Sequence, residues 1–420
     1  MKAPVIHTVS SIPLQLPMVH PLSNEAIIYD LRLGTQEILK IEWLFDAGRW
    51  YEIKPLASRI TAQLIKSGIK GMSADELADE FDFYGAKLKV SDDFDVISIR
   101  LYCLTKHFAR LLPLVYEMIL RPVFDAKELE LFCSRNKQTL KLELQKNDVI
   151  AYRVFTELLF GEKHPYGYNS SPEMYDDIKR EDLLEQHQRS YGSKGCKVII
   201  SGRTDDNIIS LLKKYTLELP NNKNDLKGKL SDFPKQDRTV IRQDAPKESN
   251  QASIRIGSRL FDKKHPDYSS FYFVNTLLGG YFGARLMQNL REDKGLTYSV
   301  YSSMETMRHG GYFYIFTDVN NHLKESALSE IYFEMDRLQN ELVDHEELDM
   351  LKNYSLGMFL NAVDGVFNVS SVIRELIEED LDFDFFETMV SKTRDITSEE
   401  VQSIAQTYFQ KDQLSEVVVG

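Results

Sequence analysis

Arg291 and Tyr298 are the two side chains in this sequence that are best suited to stabilise an oxyanion. Residues 284–294 have helix-forming composition and place Arg291 near the end of a predicted helix. Gly295 follows, where a helix C-terminus favours a left-handed residue. A guanidinium and a phenol that meet across this turn can both donate hydrogen bonds to one oxygen. By itself, such a pair is more typical of a surface arginine beside a half-buried tyrosine.

Three glycines precede the predicted helix. Gly279, Gly280 and Gly283 predict a flexible turn in which the backbone approaches a partner closely. After the helix, apolar and polar positions alternate as in a strand, with Tyr298 and Val300 in the same phase of the alternation.

Composition limits the possible classes of protein. A length of 420 residues predicts two or three domains, and 43% hydrophobic with 27% charged residues predicts a soluble globular protein. The net charge of −13 argues against nucleic acid as a partner, because a phosphate backbone requires a basic surface. The three cysteines have no C-x-x-C spacing, which supports neither a zinc ribbon nor a disulfide framework.

No targeting or membrane segment is predicted. Apolar residues near the N-terminus are interrupted by His7, Pro13 and Pro17, so a signal peptide is not expected. There is no run of about twenty apolar residues, so we expect no transmembrane helix and no membrane partner. A cytoplasmic location is the expectation.

An internal repeat divides the chain. Residues 177–202 match residues 395–420 without a gap, and the intervening 217–245 is rich in Asn, Lys, Asp and Pro. We therefore predict an N-terminal domain over 1–216, a linker over 217–245 and a C-terminal domain over 246–420. The predicted fold class is α+β, with two homologous domains that each have a mixed or antiparallel sheet and helices packed on one face. Residues 125–160 are predicted to be helical throughout.

The region around Arg291 resembles the insulinase/pitrilysin family of zinc metallopeptidases. The resemblance rests on Leu277-Leu-Gly-Gly, Arg285-Leu and the run Leu290-Arg-Glu-Asp-Lys-Gly-Leu-Thr-Tyr-Ser-Val, and it extends over nearly the whole chain. It favours the branch with chains of this size, which includes the mitochondrial processing peptidase subunits. The resemblance implies that Arg291 and Tyr298 hydrogen-bond the substrate backbone and the developing oxyanion. It also implies that the three glycines lie near the substrate.

The zinc motif of that family is missing. Family peptidases carry H-x-x-E-H, in which two histidines bind zinc and the glutamate activates water. The matching positions here are Arg59, Ala62 and Gln63, and the sequence has no histidine between residues 20 and 107. Glu143 lies near the position of the third family ligand, although a carboxylate at this place is more typical of an exposed helix surface. We predict no metal in this chain.

Two functions remain open. In the first, this chain is the zinc-less subunit of a heterodimeric peptidase, and a zinc-bearing homologous partner hydrolyses unstructured peptides with the help of Arg291 and Tyr298. In the second, the chain is a non-catalytic structural or peptide-binding homodimer, similar to the core subunits of a respiratory complex. A shared fold alone does not decide between them.

Overall fold

A computed structural model describes residues 11–222 and 237–420 of the chain. The strands in these residues are β1 Met18–Pro21, β2 Ile27–Arg32, β3 Ile38–Phe45, β4 Gly68–Ile69, β5 Met72–Ser73, β6 Lys87–Asp92, β7 Ile97–Leu104, β8 Lys197–Gly202, β9 Val240–Gln243, β10 Gln251–Leu260, β11 Thr297–Met307, β12 Gly310–Asn320 and β13 Ser415–Val419. The α-helices are α1 Ala57–Leu64, α2 Ala74–Phe83, α3 Phe108–Leu120, α4 Ala126–Glu143, α5 Asn147–Phe160, α6 Met174–Asp177, α7 Arg180–Ser190, α8 Asp206–Thr216, α9 Tyr268–Asn275, α10 Lys324–Asn340, α11 His345–Ala362, α12 Val366–Glu378, α13 Phe385–Asp395 and α14 Ser398–Tyr408.

Two mixed sheets are built on the same plan. The first has the order β1-β2-β8-β3-β7-β6 and the second has the order β11-β12-β10-β13-β9. In the first sheet β2 and β8 are parallel, and β8, β3, β7 and β6 are successively antiparallel. In the second sheet β9 and β13 are parallel, and β13, β10, β12 and β11 are successively antiparallel. The predicted repeat is therefore confirmed, and β6 and β11 are equivalent edge strands.

One face of each sheet carries its own helices, as the sequence predicts. Alternate strand residues such as Leu39, Ile41 and Trp43 point into the first core, which includes residues of α2, α3 and α8. In the second half, Ile254 and Ile256 point into a core that includes residues of α9, α10 and α14. Because side chains alternate along a strand, one face of each sheet is apolar, and the apolar stripes of the helices pack against that face.

The other face of each sheet is also covered, by a helix from the opposite half of the chain. Helix α12 belongs to the second half of the chain but packs on the first sheet through Val369, Ile373 and Ile377. Helix α5 precedes the linker but packs on the second sheet through Ala151 and Phe155. The two halves are thus interlocked by exchanged helices.

The exchanged helix α12 also neutralises a buried charge. Glu42 on β3 is fully buried, and its carboxylate lies 2.6 Å from the Lys40 ammonium group. The guanidinium of Arg374 on α12 approaches the same carboxylate to 3.9 Å. Because an uncompensated buried carboxylate is costly, this arrangement ties α12 to the first sheet.

Two predictions on organisation are modified by the structure. The predicted helical stretch 125–160 is wrong in its continuity, because the extended backbone of Lys146 separates α4 from α5. The break lets α5 leave α4 and reach the second sheet. Strand β9 lies inside the predicted linker 217–245, and residues 223–236 of that linker lie outside the described residues. The domain boundaries at 216 and 246 stay a prediction.

In the described ranges, no single helix is long and apolar enough to span a membrane. Helices α11 and α12 meet the length and composition criteria only as a pair, across a bend of 103°.

Candidate functional site

The helix that carries Arg291 is wound more widely than an α-helix. Met287–Asp293 forms a π-type helix, a conformation that is rare and frequently found at functional sites. Gly295 ends it at φ +60°, and the Leu296 N–H donates to the Leu290 carbonyl at 2.8 Å. The left-handed C-terminal glycine predicted from the sequence is therefore confirmed.

A β-bulge sets the direction of Tyr298. Thr297 pairs with Val319 and Val300 pairs with Thr317, so two residues of β11 oppose one residue of β12. The Thr297 hydroxyl donates to the Asp318 carbonyl at 2.7 Å and holds the bulge in place. In a regular strand Tyr298 would share a face with Val300, which is fully buried, but Tyr298 is 83% exposed.

The structure brings Arg291 and Tyr298 together, with a third side chain that the sequence reasoning missed. The guanidinium carbon of Arg291 lies 4.8 Å from the centre of the Tyr298 ring and 5.1 Å from the centre of the Phe282 ring. Its Nε lies 3.2 Å from the Glu292 carboxylate. Two cation–π contacts therefore hold the guanidinium next to an exposed phenol hydroxyl. The signal in the sequence that could have identified Phe282 was its position as an aromatic residue between Gly280 and Gly283.

The glycines have roles different from the predicted turn. Gly279 and Gly280 end a second π-type helix, Thr276–Gly280, and only Gly283 lies in the turn that follows. A Cβ on Gly279 would lie 2.5 Å from the backbone nitrogen of Ser302 on β11. Gly279 is therefore required for close packing within this chain. Contact of Gly279, Gly280 and Gly283 with a substrate stays a prediction.

The degenerate zinc positions lie on α1, beside the edge strand β6. The Gln63 amide donates to the Asp92 carboxylate at 2.5 Å, and the Arg59 Nε lies 3.6 Å from the same carboxylate. Ala62 is fully buried and belongs to the first core. An arginine, an alanine and a glutamine that is bound to Asp92 do not form a zinc-binding set, because zinc takes thiolate, imidazole or carboxylate ligands. The residues present therefore do not fit the metal of the family.

Glu143 pairs with a residue other than Arg59, Ala62 or Gln63. It ends α4, is partly exposed, and its carboxylate lies 2.8 Å from the Lys146 ammonium group. In the part of the chain that the structure describes, no hydrogen bond or ion pair joins it to Arg59 or Gln63. The same part contains no group of three His, Cys, Asp or Glu side chains arranged to hold a metal ion.

The two sets of residues occupy equivalent edges of the two sheets. Asp92 and its partners on α1 lie at β6, whereas Tyr298 and Arg291 lie at β11. Asp92 is the last residue of β6, and burial raises its pKa. The edge at β6 has no zinc-binding set of residues, whereas the edge at β11 presents two hydrogen-bond donors, Arg291 and Tyr298.

Comparison with known proteins shows which family the chain resembles. Residues 177–355 match the family model described as "Peptidase M16 inactive domain". Over these residues the chain is similar to M16 peptidases. The match starts in the repeat and includes both Arg291 and Tyr298, and it confirms the resemblance to the insulinase/pitrilysin peptidases. This M16 homologue lacks the zinc-binding motif and is catalytically incomplete.

Some of the relatives are named as proteases and others as non-peptidases. "Uncharacterized zinc protease YmxG" from Bacillus subtilis is 23% identical over 306 residues, which are 72% of this chain and 73% of that protein. "Non-peptidase homolog YmxG" from Helicobacter pylori is 23% identical over 381 residues, 86% of this chain and 84% of that protein.

Solved structures establish the two-domain fold. A crystal structure of the peptidase M16 inactive domain from Pseudomonas fluorescens has a TM-score of 0.87 at 20% identity, and covers 96% of this chain and 98% of that one. The periplasmic protease PqqL from Escherichia coli has a TM-score of 0.79 at 14% identity. That comparison covers 99% of this chain but only 48% of PqqL.

Proposed function

We propose that this M16 homologue is the zinc-less subunit of a heterodimeric peptidase. A zinc-bearing partner supplies the metal-bound water and the base. This chain supplies Arg291 and Tyr298, which bind the substrate backbone and the oxyanion that forms during hydrolysis of an unstructured peptide. The observation that carries the proposal is the contact of the part-buried Arg291 with the exposed Tyr298 and with Phe282. It occurs in a chain that has Arg59, Ala62 and Gln63 at the positions matched to the zinc motif.

The chemistry of the pair supports this role. A guanidinium held in place by two aromatic rings loses little side-chain entropy when it binds an oxyanion, and the adjacent phenol adds a second donor. Tyr298 lies on an edge strand, where an extended peptide can approach. The 48% coverage of PqqL also supports pairing, because this chain matches about half of a longer peptidase.

The proposal is tested on the assembled complex. The tagged full chain is expressed in its natural host, co-purifying M16 homologues are identified, and the complex is assayed with a quenched fluorescent peptide. Arg291→Ala and Tyr298→Phe are each expected to lower kcat by about two to three orders of magnitude, as for removal of one oxyanion donor. The zinc content of the complex should remain unchanged.

Matched variants control for charge and fold. Arg203→Ala removes an exposed arginine that is paired with Glu37, and Tyr301→Phe removes a hydroxyl three residues from Tyr298 on the same strand. Both should retain normal turnover. If Arg291→Ala and Tyr298→Phe behave like these controls, the pair has no role in catalysis.

The alternative is a non-catalytic homodimer that binds peptides or serves a structural role. The Helicobacter pylori relative is named a non-peptidase homolog, which supports this alternative. A stable homodimer, measured by light scattering of the purified chain, with no zinc-bearing homologue in the pull-down would replace the heterodimer proposal with this one.

A further inference from the structure

A cavity of about 350 Å³ opens beside the helix that carries the degenerate zinc positions. Its wall combines α1 and the loop after β6 with α5 and residues 168–170. The volume is within the range of small-ligand sites. Its lining is polar and charged, and none of the proposed oxyanion chemistry at Arg291 uses it.

Two arginines line this cavity without a carboxylate partner. The guanidinium of Arg49 donates to the Tyr168 carbonyl, and that of Arg153 donates to the Ser170 carbonyl at 2.5 Å. These carbonyls are two residues apart, so one loop anchors both guanidinium groups. The Arg49 Nε is buried without a hydrogen-bond partner. Neither arginine forms an ion pair within the described parts of the chain.

The two positive charges lie close enough to repel each other. Burial lowers the pKa of Arg153 and the neighbouring Arg49 lowers it further, while the nearby Glu157 carboxylate opposes this shift. The Arg49 guanidinium also lies 3.4 Å from the centre of the Tyr168 ring, which fixes its plane. Fixed, half-buried guanidinium groups of like charge are typical of sites for carboxylate or phosphate groups.

The acidic residues of the wall do not cancel this charge. Asp92 is already paired with Arg59, and Asp93 is exposed to solvent. Glu52 is engaged by the Tyr168 hydroxyl, and burial raises its pKa to about 7, so near neutral pH much of it is protonated. The cavity therefore keeps an excess of positive charge around Arg49 and Arg153.

We propose that this cavity binds an oxyanion group between the guanidinium groups of Arg49 and Arg153. A carboxylate carried by a peptide and inorganic phosphate are the two sources of this chemistry. Either can accept hydrogen bonds from both guanidinium groups and would give the buried Arg49 Nε a partner. Binding requires this chain alone, so it is independent of the heterodimer proposed above.

Isothermal titration calorimetry on the full chain at low salt tests the proposal with three probes. They are inorganic phosphate, an acetylated pentapeptide with a free C-terminal carboxylate, and the same peptide with an amidated C-terminus. Binding of the free-carboxylate peptide but not of the amidated one identifies a carboxylate site. Binding of phosphate with no preference between the peptides identifies a phosphate site. If neither phosphate nor the carboxylate peptide binds, the proposal is overturned.

Variants connect the binding to the two arginines. Arg153→Gln is expected to weaken binding at least tenfold, and Arg153→Lys, which keeps the charge but loses the planar fork, should weaken it less. Arg121→Gln is the matched control, because Arg121 is exposed and paired with Glu117 on α3. Equal affinities in Arg153→Gln and Arg121→Gln would overturn the proposal. Near-UV circular dichroism checks folding, and Arg153→Lys provides the comparison if Arg153→Gln does not fold.

Discussion

At the scale of single residues, the positions matched to the zinc motif differ from the family in their side chains and also in what those side chains contact. Ala62 is the position that the resemblance matches to the water-activating glutamate of the family, and it is fully buried in the first core. Gln63 and Arg59 are both directed to Asp92, so the two histidine positions now connect α1 to β6. These three side chains therefore contribute to the packing and hydrogen bonding of the first half of the chain.

Ala62→Glu should destabilise the protein strongly. It places a carboxylate in an apolar core without a partner, and an uncompensated buried charge costs about 3–5 kcal/mol. Burial favours the neutral acid, which raises the pKa of the new carboxyl in the folded state, so stability should fall as pH rises. Urea unfolding should therefore show a smaller loss at pH 5 than at pH 8.

Ala109→Glu provides the control for Ala62→Glu. Ala109 is exposed on α3, so a carboxylate there remains solvated and should change stability by less than about 0.5 kcal/mol. Equal unfolding midpoints for the two variants would show that position 62 tolerates a carboxylate.

At the scale of elements, the Arg291–Tyr298 pair depends on how two π-type helices lie against β11. Thr276–Gly280 packs on the strand at Ser302, where the Asn275 amide donates to the Ser302 carbonyl at 3.3 Å. Met287–Asp293 presents Arg291, and the bulge in β11 turns Tyr298 outward. The distance between the two donors is thus set by the packing of these elements.

Gly279→Ala should loosen this packing. The new methyl group would lie 2.5 Å from the Ser302 backbone nitrogen, which cannot move without shifting β11. We expect a loss of about 1–3 kcal/mol in the free energy of unfolding, typical of overpacking. Gly357→Ala is the control, since nothing lies within 4 Å of a methyl group added at this position on α11. A loss in Gly357→Ala as large as that in Gly279→Ala would contradict the backbone clash.

At the scale of the whole molecule, the exchanged helices make the two halves interdependent. Helix α5 covers the second sheet and α12 covers the first, although each belongs to the other half of the sequence. Each half alone would expose an apolar sheet face, with Leu31, Leu44 and Ile199 uncovered on the first. The repeat is therefore visible in sequence as two units, but its cores are completed only together.

Separate expression of residues 1–222 and 223–420 tests this dependence. Each fragment alone is expected to aggregate or to bind a hydrophobic dye, because a sheet face is uncovered. Co-expressed fragments should co-purify as one species of the mass of the intact chain by size-exclusion chromatography. Two soluble fragments that unfold cooperatively on their own would contradict the interlocked arrangement.

Much of the fold could be predicted because it depends on local patterns. The alternation after Gly295 predicted the strand that the structure has as β11, and the repeat of residues 177–202 at 395–420 predicted two similar sheets that the structure confirms. The helix break at Lys146 was not predictable in this way, since it serves a long-range contact of α5 with the second sheet.

The sequence by itself determined the chemistry that is available: an arginine and a tyrosine across a glycine, and no histidine or glutamate at the zinc positions. Only the tertiary structure decided where those side chains lie. The bulge that turns Tyr298 outward, the Phe282 ring on Arg291 and the cavity between Arg49 and Arg153 all arise from contacts between distant segments. Such contacts leave no local periodicity, because they depend on how complete elements pack rather than on the spacing of neighbouring residues.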